Sequence, residues 1–266
     1  MFPELLTLGP LTIHTYGLLV ALGILAGVGL AEHLYRKSGG EPGRVIDMGL
    51  IVVICGLIGA RILFILINYR YYTSNPLEAF MVWKGGLVFY GGLLGGILAL
   101  LGCIRFYRLP LWDILDIGAI AIAVGHGLGR LGCFSAGCCY GRLTDLPWAV
   151  TFTDPRSLAV DVLNHPVHPT QLYSFLFLMG LTGFLVWLQP RKKFPGQGAA
   201  AYLVLYGLFR FGVEFLRSDP RGSLSIMGTN LATSQWISLV AVAAGVVIYV
   251  LLNRRSPQPP GMGVGE

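Results

Sequence analysis

Three arginines, Arg61, Arg130 and Arg210, lie inside or at the rim of long apolar runs. An arginine at the centre of a membrane helix costs on the order of 2.5–3.5 kcal/mol on insertion scales, so each one needs a partner or a function. The runs offer one internal carboxylate, Glu214, which with Arg210 and Arg217 shares one helical face and could form a self-neutralising ladder. Because arginines outnumber carboxylates, the pattern favours an anion-binding site.

A guanidinium group grips a phosphate through two parallel N–H donors. Lipid headgroups are the phosphates found at the depth of a membrane surface, so the arginines predict binding of an anionic phospholipid. A transporter or channel for a small anion would also need intramembrane arginines and broken helices. Internal inverted symmetry would favour that alternative, and we see none in the sequence.

Two glycine-rich segments accompany the arginines. In WKGGLVFYGGLLGG, Gly95 and Gly96 fit close helix packing, whereas Gly85, Gly86 and Tyr90 indicate loose backbone beside an external cavity. GHGLGRLGCFSAGCCYG, residues 125–141, predicts a loop at a membrane end, with His126 one turn before Arg130. Its cysteines match no zinc spacing well, so no metal is expected, and a disulfide among them is the alternative; they are Cys133, Cys138 and Cys139.

The amino-acid composition is that of a protein surrounded by lipid. Of the 266 residues, 55% are hydrophobic and 12% charged, and the mean hydropathy is +0.69. So few charges cannot cover a soluble surface, which excludes a cytosolic globular enzyme. The net charge of +6 comes from scattered basic residues that form no face for nucleic acid.

A hydrocarbon core of roughly 30 Å needs about 20 apolar residues per helical span. The sequence predicts an all-α polytopic membrane protein with about seven transmembrane helices, because runs this long lack the alternation of a membrane barrel. The spans are expected at 15–34, 46–68, 86–104, 112–131, 171–189, 198–216 and 235–252.

Basic residues between the spans predict the orientation. Ten lie on one side and six on the other, which places the N-terminus in the periplasm and the C-terminus in the cytoplasm. We expect one domain over residues 1–255 with an external loop at about 131–170, and a disordered cytoplasmic tail at 256–266. A removable signal peptide is not expected, since the first run is preceded by no lysine or arginine.

Six ordered motifs resemble those of the bacterial prolipoprotein diacylglyceryl transferases. Most are close to the family's patterns His-x-Tyr-Gly, Gly-Gly/Ala-Arg, Gly-Gly-x-x-Phe-His-Gly-Gly, Gly-Arg-x-Gly-Asn-Phe, His-Pro-Ser/Thr-Gln-x-Tyr and Arg-x-x-x-Glu-x-x-Arg. In this chain they read IHTYG from Ile13, GAR from Gly59, GGLVFYGGLLG from Gly85, GRLGCF from Gly129, HPTQLY from His168 and FRFGVEFLR from Phe209.

The resemblance implies transfer of the diacylglyceryl group of phosphatidylglycerol to the lipobox cysteine of a preprolipoprotein, at the bacterial inner membrane and without a cofactor. A thioether forms and glycerol phosphate leaves, the first step of lipoprotein maturation. Arg130 and Arg210 match essential family arginines, which implies headgroup binding and leaving-group stabilisation. Supporting or substrate-binding positions within the motifs are His14, Tyr16, Arg61, Gly91, Gly92, Gly132, Gly141, Glu214 and Arg217.

The chain departs from the family pattern at three positions. Tyr90 stands where the family has a histidine often proposed as the base, Cys133 replaces an asparagine and Cys138 a glutamate. Either the arginine field activates the acceptor thiol without a dedicated base, or His126 does so; a histidine merely hydrogen-bonded within the bundle is the alternative. The lost histidine also admits an inactive lipid-binding relative, or a transferase with another acceptor thiol.

Overall fold

A computed structural model describes residues 4–8, 11–81, 85–218, 223–226 and 229–255. Seven helices in this part of the chain are long and apolar enough to cross a membrane, which confirms the seven predicted spans. A short helix, α3 (Tyr69–Ser74), follows the second of them. The seven are α1 (Thr15–Lys37), α2 (Arg44–Ile67), α4 (Phe89–Phe106), α5 (Leu111–Ala136), α6 (Thr170–Leu188), α7 (Gln197–Val213) and α8 (Thr233–Arg255).

In the described residues, three short antiparallel strand pairs lie outside the long helices, so the protein is mostly helical rather than wholly so. No strands were predicted in these segments, because they are too short to show an alternating pattern. The strands pair as β1 (Glu4–Leu8) with β2 (Leu11–His14), β3 (Val150–Thr151) with β4 (Pro166–Val167), and β5 (Ser223–Ile226) with β6 (Thr229–Ala232). The predicted tail, 256–266, lies outside the described residues.

The loop predicted for residues 125–141 is wrong over most of its length, because α5 continues to Ala136. Its glycines allow close helix packing instead: a Cβ on Gly23 of α1 would lie 2.7 Å from the carbonyl oxygen of Gly125. The predicted external loop accordingly begins at Gly137, whose φ of 75° ends the helix.

Contacts divide the chain into two compact units, residues 32–114 and the remainder. In the first unit α2 packs along α4 with the backbones almost touching. A Cβ on Gly91 would lie 2.3 Å from the carbonyl oxygen of Gly59, and a Cβ on Gly95 would lie 2.5 Å from that of Cys55. Gly96 faces Val52 at 3.6 Å. These contacts confirm helix packing as the role of Gly95 and Gly96.

We expect Gly95→Leu to destabilise this unit, because its side chain would force α2 and α4 apart. The cost should be about 3 kcal/mol, at the upper end for overpacked sites. Gly102→Leu on the same helix is the matched control, since no atom outside the local backbone lies within 4 Å of a Cβ there. Thermal unfolding in detergent should show a clear loss for Gly95→Leu only; equal melting temperatures would contradict the packing role.

The second unit contains most of α5 and the helices α6, α7 and α8, together with the segment between α5 and α6. That segment is folded around a small apolar cluster of Tyr140, Phe152, Ala159 and Val167. At the start of α6, His168 contacts the hydroxyl of Tyr173 through Nδ1 at 3.2 Å. The carbonyl oxygen of His168 accepts a hydrogen bond from the amide of Gly141 at 2.9 Å. The segment is therefore anchored to the N-terminal end of α6.

Candidate active site

Helices α5 and α7 run parallel, and this brings two intramembrane arginines to one level. At the start of both helices, Asp116 of α5 accepts hydrogen bonds from the amides of Gly196 and Ala199, both at 2.9 Å. Further along, the rings of His126 and Tyr206 meet edge to face with centroids 5.3 Å apart. Arg130 and Arg210 each follow one of these rings by four residues, so both arginines lie one turn beyond the same contact.

His126 lies within electrostatic range of both guanidinium groups. The Nε of Arg130 donates a hydrogen bond of 3.1 Å to His126 Nε2. A nitrogen that accepts carries no proton, so the imidazole is neutral in this arrangement and has its proton on Nδ1. Among the described residues, none accepts a hydrogen bond from the two terminal nitrogens of Arg130, which leaves its fork open to a ligand.

Arg210, Glu214 and Arg217 form the ladder that their spacing predicts. Glu214 Oε2 pairs with the Nη1 of Arg210 and lies 3.8 Å from the Nε of Arg217. All three side chains are largely buried, with 11%, 9% and 4% of their surface exposed. Glu214 therefore contacts two guanidinium groups at once and holds Arg210 and Arg217 on the same side of the helix end.

Backbone contacts fix the ends of the site. Gly141 forms a bridge with Arg217, and the amide of Arg142 donates to the carbonyl oxygen of Leu216 at 2.8 Å. A Cβ on Gly141 would lie 2.6 Å from that same oxygen, so any larger residue would push the two strands apart. Tyr16, in the first turn of α1, packs on Gly132: a Cβ there would be 3.1 Å from its ring.

The thiols of Cys133, Cys138 and Cys139 lie next to these groups. Tyr16 is within electrostatic range of all three and of Arg130. Hydrogen bonds from the other two thiols, together with the Arg217 guanidinium, lower the pKa of Cys139. The three thiols therefore lie close to Tyr16 and to the arginines of the site.

Arg61, Tyr90, Gly91 and Gly92 belong to the other unit, residues 32–114. The Arg61 side chain is buried and donates to backbone carbonyl oxygens of the segment that precedes α4: Glu78 at 2.6 Å, Gly85 at 2.7 Å, Ala79 at 2.9 Å and Gly86 at 3.1 Å. Gly85 and Gly86 have φ values of 83° and 82°, which confirms irregular backbone there. These bonds make Arg61 a candidate positioning residue for this segment.

The remaining predicted positions are more exposed or already engaged in packing. Tyr90, the second residue of α4, has 58% of its surface exposed. Gly91 contacts Gly59, and Gly92 lies 3.5 Å, measured from an added Cβ, from the side chain of Ala60. His14, also exposed, ends β2 opposite Glu4.

Two buried carboxylates were not predicted from the sequence, so the count of one internal carboxylate is wrong. Asp116 has 0% exposure and pairs with Lys192 at 2.8 Å, in addition to its two amide bonds. Glu32 accepts hydrogen bonds from the amides of Gly43 and Val45, at 2.7 and 3.2 Å, where α2 begins. Both carboxylates accept hydrogen bonds from amides at the start of a helix, and neither contacts Arg130, Arg210 or Arg217 in the described residues. The sequence did contain a signal for them, since each is an acidic residue inside a predicted apolar span.

Comparison with known proteins assigns this arrangement to a family. The family model described as prolipoprotein diacylglyceryl transferase matches residues 3–251. The chain belongs to the prolipoprotein diacylglyceryl transferase family. The match spans every residue of the candidate site, including the three cysteines.

Curated relatives of the diacylglyceryl transferase family align along nearly the whole chain. Proteins named phosphatidylglycerol–prolipoprotein diacylglyceryl transferase are 36% identical in Clostridium tetani, 38% in Bordetella avium and 39% in Methylibium petroleiphilum. The alignments cover 94%, 97% and 96% of this chain, and 97% of each relative.

Proposed function

We propose that this chain transfers the diacylglyceryl group of phosphatidylglycerol to the cysteine thiol of a prolipoprotein. The names of its relatives supply the two substrates. The observation that carries the proposal is the open guanidinium fork of Arg130, one turn beyond the contact that aligns it with Arg210. Such a fork fits the phosphate of a lipid headgroup.

The reaction is a displacement at carbon. The acceptor sulfur attacks the glycerol carbon bonded to phosphate, the carbon–oxygen bond breaks and a thioether forms. Glycerol phosphate leaves with the bonding electron pair, and its new phosphate oxygen takes up the proton that the thiol has lost. Negative charge grows on the departing phosphate, and preorganised cations stabilise it in a site that excludes water. Arg130 binds the phosphate, while Glu214 holds Arg210 in position one turn beyond the same ring contact.

The hydrogen bond between His126 and Arg130 bears on thiol activation. In the neutral ring, the lone pair on Nε2 accepts from Arg130, so it cannot take a proton from the thiol while that bond persists. This supports activation by the positive field of the arginines, which favours thiolate. His126 is then a positioning residue for Arg130.

Removing this positioning contact has a specific expected outcome. His126→Ala should lower kcat about 10-fold, the value of one lost hydrogen bond to a charged group. His126→Gln should retain most of the activity, because its amide oxygen can accept from Arg130. The shape of the pH–rate profile should stay the same in both variants. Loss of its acidic limb, with no rescue by glutamine, would indicate that His126 is the base.

Tyr90 is the counterpart of the family histidine, and its hydroxyl can donate to a phosphate oxygen. Tyr90→Phe should lower kcat/KM by less than about 10-fold, because one neutral hydrogen bond at an exposed position contributes about 1 kcal/mol. Initial rates over a phosphatidylglycerol concentration series measure this. A loss above 100-fold would instead assign Tyr90 an essential role.

The protein is a multi-pass membrane protein, and the bacterial inner membrane is its proposed location. We place its N-terminus and the segment between α5 and α6 in the periplasm, and its C-terminus in the cytoplasm. We also propose that residues 1–255 form one domain. The distribution of basic residues supports this orientation. Reporter fusions active only in the periplasm should report activity after Gly137 and none after Arg255; the reverse result would invert the topology.

The activity is tested by combining the purified protein with a lipobox peptide and with phosphatidylglycerol that is labelled in its headgroup glycerol. Transfer predicts release of glycerol phosphate in equal amount to a diacylglyceryl mass increase on the peptide cysteine. A peptide with serine in place of that cysteine is the matched control and should give neither product. Binding of lipid without either product would favour an inactive relative.

A further inference from the structure

The last turn of α5 brings three thiols together. The sulfur atoms of Cys133, Cys138 and Cys139 all lie within 4.8 Å of one another. The backbone explains how a spacing that is unlike a zinc motif produces this cluster. The amide of Cys138 bonds to the carbonyl oxygen of Cys133 at 3.0 Å, and that of Gly137 to Phe134 at 3.2 Å. These two bonds form a Schellman motif. Its first and last positions are Cys133 and Cys138, and the motif brings their side chains into contact.

Neighbouring residues hold this turn in a specific conformation. Cys139 has a φ of 65°, in the left-handed region that a non-glycine residue rarely adopts. Its carbonyl oxygen accepts from the Thr170 hydroxyl, and that of Cys138 accepts from the Gln171 amide nitrogen, both at 2.7 Å. Thr170 and Gln171 are completely buried, with 1% and 0% exposure. Two rigid contacts from α6 therefore maintain an unfavourable backbone that keeps the third thiol in the cluster.

A second feature lies on α6, next to this turn: a side-chain oxygen without a partner. Gln171 Oε1 is buried and has no hydrogen-bond partner among the described residues, although the nitrogen of the same amide group is bonded to Cys138. A buried acceptor without a partner costs about 1–3 kcal/mol. Such a group is usually satisfied by a bound water or ion.

We propose that Cys133, Cys138 and Cys139 bind a thiophilic d10 metal ion, Zn²⁺ or Cu⁺, through three sulfur ligands. Thiolates select these soft cations. Sulfur atoms around such an ion at about 2.3 Å from it lie roughly 3.8 Å apart, which the observed cluster permits. A disulfide would use two of the sulfurs and leave the third without a role. Each thiol that binds releases its proton to solvent.

The full-length protein, purified in detergent and reduced with a phosphine, should be titrated separately with Zn²⁺ and with Cu⁺ against a chromophoric chelator. We expect one ion per chain and a thiolate-to-metal charge-transfer band with one of the two metals. Single replacements by serine at the three positions should weaken binding on the order of 100-fold. Cys55→Ser and Cys103→Ser, outside the cluster, should bind as the original protein does.

Alkylation keeps the proposal testable if a serine variant fails to fold. With metal bound, Cys133, Cys138 and Cys139 should be protected from a thiol reagent, and a chelator should remove the protection. Unchanged stoichiometry in the triple serine variant, absence of binding to either metal, or a disulfide between two of these cysteines in protein isolated without reductant would each overturn the proposal. Diacylglyceryl transfer is not a readout, so failure here is separate from failure of the transferase proposal.

Discussion

Replacing Arg130 with glutamine should lower kcat for diacylglyceryl transfer by about 10²–10³-fold, the usual loss when one preorganised donor to a developing anion is removed. The open fork of this arginine faces no protein acceptor in the described residues, so its donors remain for the leaving phosphate. Arg130→Lys should restore only part of the rate. Lysine keeps the charge but lacks the planar fork that binds two phosphate oxygens at once.

The control removes a different arginine from the same unit. Arg191 lies past the far end of α6, where it contacts the Trp187 ring at 5.0 Å and is exposed. Arg191→Gln should leave kcat unchanged within twofold. Glycerol phosphate release and peptide mass should be followed at saturating lipid, with thermal unfolding to confirm that each variant is folded. Full activity in Arg130→Gln would reject the proposed chemistry.

Asp116→Ala should cost about 3–5 kcal/mol of folding free energy, the range found when one partner of a buried ion pair is removed. The change removes the fully buried carboxylate that pairs with Lys192 and that accepts hydrogen bonds from two amides at the start of α7. Thermal unfolding in detergent, followed by circular dichroism, measures the loss as a lower melting temperature.

Two further variants separate the contributions at Asp116. Asp116→Asn keeps an oxygen acceptor for the helix amides and removes the charge, so its melting temperature should lie between those of the original protein and Asp116→Ala. Asp145→Ala, at an exposed position in the same unit, should change stability by no more than about 0.5 kcal/mol. If all three variants melt together, the α5–α7 contact at Asp116 contributes nothing to stability.

The helical spans were predictable because the hydrocarbon core imposes a length that the apolar runs repeat. The segment from Gly125 to Ala136 was not, because glycine in a sequence has two meanings. It permits turns, and it also permits two helix backbones to touch. The choice depends on the partner: Gly23 on a distant helix opposes Gly125, and no local pattern identifies that pairing.

The site was predicted in part. The ladder of Arg210, Glu214 and Arg217 follows from helical spacing alone. The hydrogen bond between Arg130 and His126 follows from the same spacing, but its direction required the structure. The role of Asp116 depends on the parallel course of two helices that are far apart in sequence, and the convergence of the three thiols depends on how α5 ends. Both are tertiary effects.

The pair of parallel helices is tied together at both of its ends, by Asp116 at one and by the bridge between Gly141 and Arg217 at the other. Two helices connected near both ends cannot slide along each other. The distance between the guanidinium groups of Arg130 and Arg210 should therefore be the same before and after each turnover. A covalent link joining α5 to α7 midway should consequently leave the enzyme working. Entry and exit of a bulky lipid must then rely on movement elsewhere in the chain.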